Sequence, residues 1–242
     1  MEQPAPRMHI PIDSITYEQW KELRAPYIGA SDVGALLAWF ESWPASDAPW
    51  GSALRIYHRI GGSLDYDEEE FLLDQYAPAE CGREFEDGIG RMYAKRFPEM
   101  EVEGKSPTWQ HPTIDWLVAT PDLLVVHPER GPGVAQFKLA TSNGRKKWAN
   151  GLPLYVEAQV QLEMEVMGRE WAHVFAVVDA TTKCFYVERS ADYFQRIVEA
   201  GEHFRAALQA GDVAAFVDGS DDVTRTLKET EPEELKDGET LL

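Results

Sequence analysis

The sequence predicts an α/β fold in which helices flank a central mixed sheet. Helical patterns occupy most of the first hundred residues, strand patterns begin near Met100, and strands and helices then alternate to about residue 210. The chain has 242 residues, of which 44% are apolar and 11% aromatic, so it can bury one substantial core. We therefore expect a single domain over residues 1–216, followed by an acidic tail over residues 217–242.

Four helices are predicted in the N-terminal half. They cover residues 17–23, 29–38, 51–60 and 66–97. A serine or threonine can cap the first helix, and Lys95 and Arg96 end the fourth, where positive charge is favourable. Residues 39–50 contain two prolines and three tryptophans, which favours a loop or lid between the second and third helices.

The C-terminal half predicts the sheet. Strands are expected at residues 116–119, 123–126, 134–139, 172–178 and 184–188, with turns at 127–133 and 179–183. An amphipathic helix is expected over residues 154–167 and a final helix over residues 193–210. After Phe216 the chain loses its apolar periodicity and is rich in acids, which indicates a solvated tail.

The charge of the chain is strongly unbalanced. Lys and Arg number 23 against 42 Asp and Glu, a net charge of −19, which argues against a protein that holds nucleic acid over its whole surface. Residues 133–150 are the exception, because they contain four basic residues and no acid. This segment is the best candidate for a surface that faces an anion.

Cysteine usage and hydropathy indicate the cellular compartment in which the protein works. Cys81 and Cys184 are far apart and lack metal-ligand spacing, which disfavours zinc, an iron–sulfur cluster and a disulfide framework, and fits a reducing cytosol. No apolar run approaches the ~20 residues of a membrane span, and the N-terminus lacks the pattern of a signal peptide. We expect a soluble protein that has no membrane partner and is not exported by that route.

One predicted hairpin brings chemical groups together. Asp122 and Lys138 are equidistant from a turn centred near Arg130, so they are predicted to oppose each other across paired strands. Side chains alternate along a strand, so Gln136 shares a face with Lys138, and Phe137 points to the opposite layer. The hairpin alone also fits an exposed turn with an incidental ion pair.

Five ordered segments extend this observation. Pro121–Asp122 and then Gln136–Phe137–Lys138 resemble the core motif of the PD-(D/E)XK nuclease superfamily. The other matching segments are residues 28–33, residues 82–86, Trp148 with residues 153–155, and residues 159–161. In this order they resemble the phage lambda exonuclease and YqaJ-type viral recombinase family over residues 24–188.

The resemblance implies a restriction-endonuclease-like core and an exonuclease that resects the 5′-ended strand of duplex DNA ends. It implies Mg2+ as the cofactor, which Mn2+ can replace, bound by carboxylates and a strand carbonyl. It further implies a closed homo-oligomeric ring and a single-strand annealing protein as a recombination partner. The setting would be the cytoplasm of a bacterial or phage-infected cell.

The resemblance also assigns site residues. Asp122, residue 136, the Phe137 carbonyl and Glu86 correspond to metal ligands, and Lys138 corresponds to the lysine that orients or deprotonates the attacking water. Glu86 on its own also fits a solvated helical face.

Several residues match DNA contacts of the family. Arg24 and Ser31 correspond to the 5′-phosphate site, and Ser31 lies where a glycine-containing turn becomes a helix, which independently favours anion binding. Ser31 or Asp32 also fits a simple N-cap. The remaining matches and basic candidates are Tyr155, Gln159, Gln161, Arg145, Lys146 and Lys147, of which Gln161 also fits a solvent-facing helix position.

Gln136 departs from the family, which has glutamate at this position. An engineered inactivating change, a tolerated natural variant and a catalytically inactive DNA binder all fit this difference. A neutral amide holds a divalent cation less well than a carboxylate, so this site alone predicts weak cleavage and a large gain from Gln136→Glu. The alternative function is a nuclease-fold DNA-binding or regulatory module that does not cleave.

Overall fold

The computed structural model describes residues 7–10, 15–49, 51–62, 77–140, 144–218 and 220–230. Its helices are α1 (Tyr17–Arg24), α2 (Val33–Phe40), α3 (Ala53–Gly61), α4 (Ala77–Arg96), α5 (Leu154–Met167), α6 (Ala191–Ala210) and α7 (Asp221–Thr230). Its strands are β1 (Arg7–Ile10), β2 (Ile28–Gly29), β3 (Glu101–Gly104), β4 (Thr108–Gln110), β5 (Leu117–Ala119), β6 (Leu123–His127), β7 (Gly131–Ala140), β8 (Trp171–Val178) and β9 (Thr181–Glu188). Short 3-10 turns lie at Arg145–Trp148 and Val213–Phe216.

The strands form two sheets. The larger has the order β3-β6-β7-β8-β9, in which β7 and β8 are parallel and the other neighbours are antiparallel. The smaller has the order β1-β4-β5-β2, with a parallel pair between β2 and β5. Helices pack on both faces of the larger sheet, so the predicted α/β fold with a central mixed sheet is confirmed.

The β6–β7 hairpin corrects the expected register by one residue. Leu123 pairs with Ala135 and His127 pairs with Gly131, so the turn is centred on Glu129. Continued by one residue, this register places Gln136 opposite Asp122, and the prediction that Lys138 is the directly opposed residue is wrong. Gln136 and Lys138 still share one face of the sheet, because they are two residues apart on β7.

Helix α5 has the bounds that the sequence predicts, and Gly168 ends it in the left-handed conformation (φ 61°). The expected amphipathic character is wrong, because every residue from Ala158 to Met167 is buried. The helix lies between the larger sheet and helices α2 and α6, which cover its remaining sides. From Ala158 onward its polar side chains therefore contact protein instead of solvent.

Helices α2 and α5 approach each other at Gly34. A Cβ atom at this position would lie 2.6 Å from the Cβ of Tyr155 and 2.9 Å from its Cα. Only glycine allows the two backbones to come this close. The contact fixes the start of α5 against α2.

Some expected boundaries differ from the observed ones. The predicted helix over residues 66–97 corresponds to α4, and residues 63–76 lie outside the described residues. The loop expected over residues 39–50 begins after Phe40, because α2 extends to that residue. The predicted turn at 179–183 shrinks to Asp179 and Ala180, both with positive φ, since β9 begins at Thr181.

The segment from residue 217 onward contains a helix that packs on the rest of the protein. Helix α7 packs on α3, and its Val223 is 1% exposed although the helix is acidic at its start. This part of the expected solvated tail is therefore part of the folded structure, while residues 231–242 lie outside the described residues. Within the described ranges, no helix combines the length and apolarity needed to cross a bilayer.

Candidate active site

Asp122 lies immediately before β6, where β7 supplies hydrogen bonds to its carboxylate. Its Oδ2 accepts a hydrogen bond of 2.5 Å from the backbone N–H of Phe137, and the side-chain amide of Gln136 also hydrogen-bonds to it. Burial raises the pKa of Asp122 to about 7; the ammonium of Lys138 opposes this rise and the carboxylate of Glu86 adds to it. The predicted convergence of an acid, an amide and a lysine is therefore observed.

The two faces of β7 present different side chains to the helices that pack on them. Phe137 packs on the opposite side against Tyr93 of α4, with ring centroids 5.5 Å apart. Lys138 points toward α5, where its Nζ donates a hydrogen bond of 2.7 Å to Oε1 of Gln159. The alternation predicted for this strand places the polar groups against one helix and the aromatic group against another.

Helix α5 adds a second carboxylate that sequence reasoning missed. The amide of Gln159 donates a hydrogen bond of 2.8 Å to Oε1 of Glu163, one helical turn later. Glu163 is fully buried, at 0% exposure. Its pKa is raised by burial and by the nearby carboxylate of Asp122, which Lys138 opposes.

Two buried oxygen atoms in this site lack a hydrogen bond from any described residue. They are Oε1 of Gln136, in a side chain that is 4% exposed, and Oε2 of Glu163. Unpaired buried oxygens are rare because their desolvation is costly, so such atoms indicate a missing ligand or water. The described residues contain no cluster of three or more His, Cys, Asp or Glu positioned for a metal ion. Two carboxylates and an amide oxygen are nevertheless a donor set that fits a hard divalent cation.

Glu86 lies on α4, near enough for its charge to raise the pKa of Asp122. It is half-buried and forms an ion pair of 3.4 Å with Lys105, which also pairs with Asp87 at 2.8 Å. Glu86 therefore stands at the edge of the site, with part of its charge balanced by a lysine.

A second cluster surrounds Asp32, just before α2. The Nη2 atom of Arg24 donates hydrogen bonds of 3.0 Å to Oγ of Ser31 and to Oδ2 of Asp32. The same carboxylate oxygen accepts from Nη2 of Arg59 at 2.7 Å and from the N–H of Gly29 at 2.7 Å. Burial opposes ionisation of Asp32, but the two guanidinium groups lower its pKa overall.

The geometry of this cluster bears on the N-cap alternative. Asp32 occupies the N-cap of α2, yet its side chain makes no capping hydrogen bond and points to the arginines instead. The guanidinium of Arg24 lies over Gly29, where a Cβ would be 2.1 Å from Nη2. The cluster thus orients Arg24 beside Ser31 at the start of a helix, an arrangement suited to an anion.

The remaining predicted DNA contacts differ in their surroundings. Arg145 and Lys146 are exposed, and Arg145 pairs with Asp179 at 3.6 Å. Lys147 donates to the carbonyl of Ala48 and lies 5.9 Å from the ring centre of Tyr155. The first two are therefore accessible to a phosphate backbone, while Lys147 also tethers a turn.

The side chain of Gln161 is buried and hydrogen-bonds to backbone groups of other segments. It is 2% exposed; its amide donates to the carbonyl of Glu188 at 2.8 Å and accepts from the N–H of Ser190 at 2.9 Å. These bonds hold the junction between β9 and α6. The structure therefore does not bring Gln161 to a DNA-facing surface, and the solvent-facing alternative is also wrong.

Sequence reasoning missed Glu163, Arg59 and Lys105. A signal existed for Glu163, because it follows Gln159 by four residues and so shares its helix face. The other two come from distant segments whose approach no local spacing reveals.

Burial of the Asp122 carboxyl predicts a pH-dependent stability of the metal-free protein. The pKa of Asp122 rises from 3.8 to about 7 on folding. The favourable contribution of this carboxyl to the free energy of unfolding is therefore complete below about pH 4 and is lost as the pH rises toward 7. One pKa unit is worth about 1.4 kcal/mol, so the loss is at most about 4 kcal/mol. We expect Asp122→Asn to gain stability relative to the parent between about pH 5 and about pH 8, measured by urea unfolding. Equal pH profiles for the two proteins would contradict this.

Comparison with known proteins agrees with this architecture. The family model of the YqaJ-like viral recombinase domain matches residues 19–170. An alkaline exonuclease from Laribacter hongkongensis is similar in structure, with 20% identity, a TM-score of 0.58, and coverage of 80% of this chain and 93% of that one. Its complex with dAMP gives 21% identity, a TM-score of 0.60 and the same coverage.

A phage-related exonuclease from Haemophilus somnus is also similar, with 10% identity and a TM-score of 0.51 over 79% of this chain and 97% of that one. No curated protein matches the chain. The structural likenesses identify the fold as that of these exonucleases, and the prediction of a restriction-endonuclease-like core is confirmed.

Proposed function

The chain belongs to the YqaJ-like viral recombinase family, and we propose on that basis that it is a metal-dependent exonuclease that resects the 5′-ended strand of duplex DNA ends. The observation that carries the proposal is the convergence of Asp122 and Lys138 with Gln159 of α5 at one end of the β6–β7 hairpin. Phosphodiester hydrolysis needs a buried carboxylate and a cationic group at the reacting phosphate, and this site offers both.

We propose Mg2+ as the cofactor, with Mn2+ able to replace it. Asp122, the amide oxygen of Gln136 and the carbonyl of Phe137 are the residues that would hold it, and Glu86 would contact it through water. A bound divalent cation makes a water more acidic and offsets charge on the phosphate.

Lys138 performs a distinct task in this proposal. Its ammonium is fixed by Gln159, so it is held beside the carboxylate of Asp122 and does not sample solvent freely. From there it orients the attacking water and offsets the negative charge that develops on the phosphate oxygens. Gln159 positions the lysine and does not itself react.

The cluster around Asp32 is proposed to bind the 5′-phosphate of the strand end. Arg24 supplies a charged donor and Ser31 a hydroxyl, at the start of α2. Tyr155, Arg145, Lys146 and Lys147 are proposed to face the DNA backbone. The net charge of −19 makes such a local patch necessary, because the rest of the surface repels DNA.

The biological setting follows from the same family. We propose that several copies form a closed ring around the duplex, with the basic patch inside and the acidic surplus outside. The resected end would pass to a single-strand annealing protein in the cytoplasm of a bacterial or phage-infected cell.

Digestion of end-labelled duplex DNA in the presence of Mg2+ tests the function. Release of label from the 5′-ended strand, with loss of activity in a chelator, is the expected result. The alternative of a non-cleaving module draws on Gln136. Tight binding to duplex ends without cleavage in either Mg2+ or Mn2+ would favour that module and contradict the exonuclease.

Arg24→Ala should slow digestion of 5′-phosphorylated duplex far more than digestion of 5′-hydroxyl duplex. A charge-assisted hydrogen bond to phosphate is worth about 1.5–3 kcal/mol, which corresponds to a selective loss of roughly tenfold or more. Initial rates on the two substrates give the measurement. Lys21→Ala is the matched control, because it removes the same charge from another half-buried position on the same helix. An equal loss on both substrates would remove Arg24 from the phosphate site.

A further inference from the structure

The strand position that faces Asp122 provides no charge. Gln136 donates its amide toward Asp122, and its buried Oε1 has no partner among the described residues. If a divalent cation were bound by the hairpin alone, Asp122 would supply its single carboxylate ligand. Mg2+ is reluctant to lose its water shell, so a site with one carboxylate binds it weakly.

Helix α5 delivers a carboxylate to the same place from the other side. Glu163 is fully buried, its Oε1 is held by Gln159, and its Oε2 is left without a partner within the described ranges. The Gln159 side chain that orients Glu163 also accepts a hydrogen bond from Lys138, so these three side chains form one hydrogen-bonded network. Among the described residues, the ammonium of Lys138 is the positive charge that acts on both carboxylates, those of Asp122 and Glu163.

A buried pair of carboxylates with unpaired oxygens is stable when a cation lies between them. The atoms left without partners, Oε2 of Glu163 and Oε1 of Gln136, come from helix and strand respectively. We propose that Glu163 of α5 supplies the second metal-binding carboxylate of this site, in the place of the glutamate that the family has at position 136. This inference rests on the proposed function and makes the chain a competent enzyme with a rearranged ligand set.

Mn2+ binding to the DNA-free protein, measured by calorimetry, tests the proposal without relying on activity. Glu163→Gln keeps the shape and the hydrogen bond to Gln159 but removes the charge, and it should weaken Mn2+ affinity by at least about tenfold. Glu165→Gln is the matched control, since Glu165 is also buried on α5 but pairs with Arg189 at 3.0 Å. The control should bind Mn2+ as the parent does.

The exchanged double variant Gln136→Glu with Glu163→Gln returns the carboxylate to the strand. It should recover Mn2+ affinity to within about tenfold of the parent, because the number of carboxylates is restored. Gln136→Glu alone should change the affinity by less than about tenfold, since the parent already holds two carboxylates. This single variant also decides the question if Glu163→Gln fails to fold, as checked by circular dichroism.

Four results would overturn the proposal: unchanged Mn2+ affinity in Glu163→Gln, an equal loss in Glu165→Gln, no recovery in the double variant, or a gain of about a hundredfold or more from Gln136→Glu alone. DNA digestion by the parent distinguishes failure of this inference from failure of the proposed function. If the parent digests DNA and Glu163→Gln binds Mn2+ normally, only this inference fails. If the parent neither binds Mn2+ nor digests DNA, the proposed exonuclease fails as well.

Discussion

Asp122→Asn is expected to reduce Mg2+-dependent digestion of duplex DNA by about a thousandfold or more, the largest effect of any single substitution in this chain. The asparagine keeps the size of the side chain and can still accept the hydrogen bond from the N–H of Phe137. It removes the charge at the centre of the proposed metal site, so occupancy by the metal and stabilisation of the transition state are lost together. Single-turnover digestion in saturating enzyme gives the rate.

Two controls make this result specific. Binding to duplex ends in Ca2+ should stay within about threefold of the parent, because the arginine cluster around Asp32 is intact. Metal-free stability near neutral pH should not fall, since a buried charge has been removed. A variant that is folded, binds DNA and digests it at more than about a tenth of the parent rate would exclude Asp122 from the reaction.

Gly34→Leu is expected to cause the largest loss of stability, about 3 kcal/mol or more. Any Cβ at this position would meet the Cβ of Tyr155 at 2.6 Å and its Cα at 2.9 Å, and backbone atoms cannot move aside as a flexible side chain can. Helix α2 must therefore separate from α5. Urea unfolding gives the change in the free energy of unfolding.

Gly61→Leu is the matched control for this substitution. Gly61 also lies in a helix, α3, but nothing lies within 4 Å of a Cβ placed there. Leucine has a higher helix propensity than glycine, so the control should be neutral or slightly stabilising. A loss of less than about 1 kcal/mol in Gly34→Leu would mean that the two helices can shift apart without cost.

The sequence was most informative where a local pattern coincides with a packed element. The bounds of α5 and the central strands β6, β7 and β8 follow from apolar runs ended by glycine or a turn. The short strands β1 to β4 were missed, because two to four residues carry too little periodicity. The hairpin register was misplaced by one residue because the turn is shorter than its polar composition suggests.

The candidate site was predictable in part for a similar reason. Asp122, Gln136 and Lys138 lie on one hairpin, so alternation along the strands relates them. Glu163 was assigned to no role, because an amphipathic helix was expected to turn its acids to solvent. Only the packing of α2 and α6 around α5 shows that this acid is buried. Arg59 reaches Asp32 across 27 positions of sequence, a separation at which spacing carries no information.

The carboxylate of Asp32 has a consequence for turnover. Two guanidinium groups share it, so the proposed phosphate site carries one net positive charge instead of two. A site with an uncompensated pair of arginines would hold a phosphate dianion tightly, and dissociation would then limit each cycle. An exonuclease must release one terminal phosphate before it captures the next, so under the proposed function we expect Asp32 to shorten the lifetime of the bound end. Under the same proposal, we expect removal of this carboxylate's charge to tighten binding of the DNA end and to slow digestion along the DNA.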